Sequence, residues 1–170
     1  MTPRMPLLWF CSVLVGAFFV PDGVMAQIQK VDGYDGYKFG MSIDQAKNIK
    51  PAAKQTRCEY VSVDACLEYA TTISVFPATV SVQFKGATPL LSQILLTIRS
   101  FPEPVVRHPC REVGEEVLKL LAAKYGTNPL VKDRTATWTS PHGGSVSLLA
   151  LCVGEVGGIN VITYAPSSPL

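Results

Sequence analysis

Apolar and polar positions alternate most clearly over residues 79–85. Val80, Val82 and Phe84 fall on one side there, and Thr79, Ser81, Gln83 and Lys85 on the other. A period of two is the mark of a strand with one buried face. It returns at 91–99, with Ile94, Leu96 and Ile98 inward, and at 145–152, where Val146, Leu148, Ala150 and Cys152 lie opposite Ser145 and Ser147. Shorter runs at 71–76, 134–139 and 159–164 complete two groups of three strands. In the first of these Ile73 and Val75 share a face, and Pro77 marks the following turn. Gly86 to Pro89 reads as a loop, and Ser140, Pro141, His142, Gly143 and Gly144 as a hairpin loop. Short spacing with one polar face predicts antiparallel meander pairing.

Two stretches read as helices. At 43–49 Ser42 supplies a cap, Gln45 reaches back to it, and Met41 is placed to staple onto Ala46. Pro51 disfavours helix at Lys50 and ends it. The second helix runs from about Pro109 to Tyr125, with Glu112, Glu115 and Glu116 towards its positive end, Lys124 towards its negative end, and Gly126 as a left-handed stop. Its apolar stripe is Cys110, Val113, Val117, Leu120 and Leu121. Pro102, Pro104 and Pro109 make 101–109 an irregular connection. The doubled Asp-Gly-Tyr at 32–37 reads as a turn leading into a short strand, 37–39, because a calcium loop needs more alternating oxygen ligands.

The predicted fold is therefore α+β. One antiparallel sheet of six to eight strands carries two helices on one face, in the order helix, three strands, helix, three strands, with an extra Cys-bearing hairpin after the first helix. Residues 27–164 make a single domain with possible halves at 37–100 and 109–164, and 165–170 form a flexible tail.

The first 26 residues have the layout of a secretory signal peptide: Arg4, an apolar run from Leu7 to Val20, a polar turn at Pro21 to Gly23, and Val24 and Ala26 as compact residues before a cleavage point at Gln27. The run is shorter than the roughly 20 residues of a spanning helix. Lipid attachment at Cys11 is disfavoured by bulky Trp9 and Phe10 ahead of it. Cleavage removes one base, Arg4, and one acid, Asp22, so the net charge stays at +2. No later apolar run approaches membrane length, and the expected location is periplasmic or secreted.

Composition narrows the classes further. Hydrophobic residues make up 48% and charged residues 16% of the chain, which excludes disorder over most of its length. With 15 bases against 13 acids and no basic block, the field is too weak for nucleic acid. Loss of Cys11 leaves Cys58, Cys66, Cys110 and Cys152, an even set in an oxidising compartment, hence two disulfides with three possible connectivities. Cys110 and Cys152 both sit on core-facing sides, and Cys58 and Cys66 flank a short polar centre at Ser62 and Asp64 as hairpin neighbours would. The favoured pairs are 58–66 and 110–152. A zinc site with His108 or His142 is the competing reading, but the cysteine gaps exceed those of structural zinc sites.

Phe39-Gly40-Met41-Ser42 running into Asp44-Gln45-Ala46, with Lys124-Tyr125-Gly126 closing the second helix, resembles small exported bacterial proteins of uncharacterised role that open with a Gly-Met-Ser/Thr helix start. The tandem helix-plus-strands order also resembles the fold of the beta-lactamase inhibitory proteins and of the small lipoprotein of the outer-membrane assembly machinery, although the lipid-modified cysteine of the latter has no counterpart here. The resemblance implies a protein-binding module without catalysis. It assigns no binding residues.

Catalytic constellations are sparse. His108 sits at a helix start and His142 in a Gly-rich loop near Ser145, with no Gly-x-Ser-x-Gly elbow. Glu112, Glu115 and Glu116 are explained by the helix dipole, and neither Gly143-Gly144 nor Gly157-Gly158 leads into a helix that would cradle phosphate. No catalytic residue, metal or cofactor is assigned. The polar face formed by Thr79, Ser81, Gln83, Lys85, Gln93, Thr97 and Arg99, with Thr135, Thr137 and Thr139 across the sheet, is the candidate binding face. The expected function is an exported, disulfide-bonded, non-enzymatic binding or cell-envelope accessory protein whose partner is an envelope or extracellular protein. A small-ligand carrier with an apolar pocket between helix and sheet, and a periplasmic hydrolase using His142, are the alternatives.

Overall fold

The computed structural model describes residues 29–58, 63–100, 109–141, 143–154 and 157–167. The signal-peptide segment, Ser62, His108, His142 and residues 168–170 lie outside them. The elements are β1 (Gly33–Tyr34), β2 (Tyr37–Lys38), α1 (Ile43–Ile49), β3 (Lys54–Thr56), β4 (Ala65–Ile73), β5 (Phe76–Lys85), β6 (Leu90–Ser100), α2 (Cys110–Tyr125), β7 (Leu130–Lys132), β8 (Thr135–Thr139), β9 (Ser145–Val153) and β10 (Gly157–Ala165). β3 to β10 form one antiparallel sheet of eight strands in the order β3-β4-β5-β6-β10-β9-β8-β7, and β1 and β2 form a separate hairpin. The α+β class and the single large sheet stand as the alternation predicts. Each half is one helix followed by a four-strand meander, and β6 and β10 pair to join them.

The register follows from burying one face. Leu67, Val82, Ile94, Tyr164, Val146 and Trp138 stand side by side across six strands, all buried. The next row is Tyr69, Val80, Leu96, Ile162, Leu148 and Ala136. A slip of one residue in any strand would turn its apolar set to the other side. Each fully buried aliphatic or aromatic side chain contributes about 1.5–3 kcal/mol relative to exposure.

Three elements differ from the sequence reading. The turn after β4 falls on Ser74, at φ +55°, and on Val75, which is exposed, whereas Pro77 lies within β5 opposite Thr72. The second arm of the Cys-bearing hairpin and the expected strand at 71–76 are thus one element, β4. In the second half β7 is an additional edge strand, too short and too exposed to show a period. On α2 the buried stripe is Cys110, Val113, Gly114, Val117, Leu121 and Tyr125, and Leu120 faces out at 40% exposure, because the helix meets the sheet along Gly114.

The capping box of α1 forms: the Gln45 backbone N–H donates to Ser42 Oγ and the Ser42 N–H to Gln45 Oε1. Of the first Asp-Gly, Asp32 precedes β1 and Gly33 opens it, while the second, Asp35-Gly36, makes the two-residue turn between β1 and β2, both at positive φ. This hairpin lays its tyrosines onto the inner face, where Tyr34 meets Tyr164 at 5.1 Å and Tyr37 stacks on Tyr69 at 6.0 Å. Asp35 accepts the Tyr69 hydroxyl at 3.0 Å and pairs with Lys50 at 2.7 Å. Among the described residues no helix is long and apolar enough to cross a membrane.

α2 is held at both ends. Cys110 is bonded to Cys152 on β9, and the buried Asn160 of β10 donates Nδ2–H to the Cys110 carbonyl at 3.0 Å. At the far end Trp138 Nε1–H donates to the Gly126 carbonyl at 2.7 Å. Between them Gly114 brings the helix so close that an added Cβ would lie 2.8 Å from Asn160 Oδ1.

Gly114→Val is accordingly expected to cost about 1–3 kcal/mol in urea unfolding, through overpacking against a fixed amide. A second expectation concerns alkaline pH. Burial holds the hydroxyls of Tyr34, Tyr37, Tyr69 and Tyr164 above their ordinary 10.0, and the Asp35 carboxylate adds to the shift at Tyr34, Tyr37 and Tyr69. Their stabilising contribution is complete below that value and is lost as pH rises past it. Tyrosinate absorbance should therefore lag behind a free-tyrosine titration and then rise together with loss of the fold.

Candidate functional site

Two surfaces emerge, one on each side of the sheet. On the inner side α2 covers β6, β10 and β9 but stops short of the β8–β7 edge. The floor there is small, with Ala136 on β8 and Ala150 on β9 where neighbouring rows carry Trp138 and Val146. Small floor residues beside a helix leave a cleft of about 540 Å³. Arg111, Gly114, Glu115 and Leu118 of α2 form one wall, Leu148, Ala150 and Cys152 join Ala136 on the floor, and Pro129, Val131 and Arg134 close the far side. The Cys110–Cys152 bridge closes its end, so helix and floor cannot part there without breaking a covalent bond. None of the described ion pairs involves Arg111, Glu115 or Arg134.

The outer side carries the residues singled out from the sequence. Thr79, Ser81, Gln83, Thr97 and Arg99 come together, with Glu68 and Leu95, around a depression of about 210 Å³. Gln93 stands opposite Gln83, and Lys85 is exposed at the end of β5. Two features interrupt the polar face. Gln83 is only 2% exposed, because its cross-strand neighbour is Cys66 and the Cys58–Cys66 bridge lies on that side. Further across, Ile159 and Val161 of β10 sit beside Leu151 and Leu149 of β9, so an apolar strip divides the polar patch from Thr135, Thr137 and Thr139. Leu151 is 40% exposed. Alternation does show that Leu149 and Leu151 lie opposite the core positions, but only the β9–β10 register places them against Ile159 and Val161.

Both favoured disulfides are present. Cys66 faces Thr56 in the β3–β4 ladder, and its bridge reaches past the end of β3 to Cys58 rather than to a direct cross-strand partner. The His142 site lies outside the described residues, and Ser145 begins β9, paired with Ala165.

Removing the two bridges separately should show unequal effects. The Cys110–Cys152 loop spans 42 residues and the Cys58–Cys66 loop 8. Loop entropy then assigns about 4 and about 2.5 kcal/mol respectively, measurable as the stability lost by each paired Cys→Ala variant.

Comparison with known proteins gives no match: no family model, no curated protein and no solved structure corresponds to this chain.

Proposed function

We propose that this chain is an exported, disulfide-bonded, non-enzymatic binding or cell-envelope accessory protein that docks a protein partner on the outer face of its sheet. The observation carrying the proposal is the strip of Leu149, Leu151, Ile159 and Val161 flanked by threonines and by the polar depression around Arg99. An apolar centre inside a hydrogen-bonding rim is the composition of a protein interface. Both described helices pack on the other face, and among the described residues no helix covers this one. The two disulfides suit an oxidising compartment, and the opening 26 residues suit export to it. The tandem order of one helix and four strands is what supports the resemblance to the beta-lactamase inhibitory proteins and the assembly lipoprotein.

The test is affinity capture from a cell-envelope extract with the oxidised protein, alongside Leu149→Arg and Val161→Arg variants. A charge placed in the centre of a docking strip should cost more than about 2 kcal/mol of affinity, and so most of the captured partner. Far-ultraviolet dichroism and Tm checked in parallel separate this loss from unfolding. Capture by both folded variants at the wild-type level would overturn the outer-face assignment.

A further inference from the structure

We propose that the cleft between α2 and the β7–β8 edge is a second binding site, for a single-chain carboxylate amphiphile such as a medium-chain fatty acid. The cleft's size falls within the range of pockets that enclose small ligands, and its floor of Ala136, Leu148 and Ala150 is apolar. An alkyl chain gains affinity there from the area it removes from water. The charge at the rim selects the head group. Arg111 and Arg134 both line the cleft, against the one acid Glu115, and all three stand outside the described ion pairs. Two guanidinium groups offer forked donors that match a carboxylate, and the net positive rim opposes a cationic head.

A second observation singles out Arg134. The β7–β8 turn consists of Asp133 and Arg134, with φ of +48° and +68° between Lys132 and Thr135. The same two-residue turn between β1 and β2 is built from Asp35 and Gly36. Glycine is the ordinary occupant of that second position, since a Cβ is unfavourable in the left-handed region. This chain thus carries the comfortable residue in one turn and a strained arginine in the other, and the strained one lines the cleft. Strain at a single position, kept against an easy alternative, marks a side chain with a task.

Titration calorimetry on the oxidised protein tests this with decanoate, decanol and decyltrimethylammonium, each below its micellar range. Decanoate should bind about tenfold more tightly than decanol, as charge-assisted hydrogen bonds require, and the ammonium compound more weakly than either. Arg134→Gly should erase that preference while raising Tm, because it relieves the turn; Arg111→Gln should weaken decanoate and leave decanol unchanged. A residue with a purely structural task would not give this pairing of higher stability with lost acid preference. Equal binding of decanoate and decanol would overturn the proposal, as would binding of none of the three, or an acid preference that survives both substitutions. None of these outcomes bears on the outer face, whose test uses a different ligand and different variants.

Discussion

The pairing of β6 with β10 is the constraint on which the molecule rests. It joins two meanders from opposite ends of the sequence through seven residue pairs, from Gly158 with Ser100 to Tyr164 with Ile94. Without it each half would be a four-stranded sheet with an exposed edge and half a hydrophobic face. With it, rows of side chains run unbroken across six strands, and one helix covers the seam. Long-range pairing of this kind carries a closure cost. The Cys110–Cys152 bridge offsets part of that cost in the unfolded chain by tying the start of α2 to β9, next to the seam.

Placing α2 over the seam decides where space is left. Gly114 draws the helix down onto Asn160, while Ala136 and Ala150 lower the floor beyond it, and the cleft is the difference between the two. Among the described residues no helix lies on the opposite face, which is rich in hydroxyl and amide side chains except where β9 and β10 lie together. Its apolar strip and the inner cleft therefore share β9 but lie on opposite faces of it.

Local rules account for much of this. The capping box of α1, the Gly126 stop of α2 and the alternation of β5 and β9 are each formed as their residues dictate, because each depends on neighbours a few positions away. The misplacements occurred where such rules compete. Pro77 is a turn former, yet the turn moved to Ser74 and Val75 because inner-face register with Val80 and Val82 places Phe76 in the core. Leu120 fits a helical stripe, but the buried stripe is rotated towards Gly114, where the helix comes close to Asn160 and Ala150 of the sheet.

From sequence alone came the class of the fold, the face each central strand buries, the two helices and the favoured cysteine pairs, since all follow from periodicity, capping and parity. Of the seven polar residues that alternation places on the outer face, five converge on one depression. The order of strands across the sheet, the apolar strip formed by β9 against β10, and the cleft under α2 were decided by the tertiary structure. The physical reason is common to all three: they are relations between segments far apart in the chain, set by which surfaces can be buried together, and no local period records that choice.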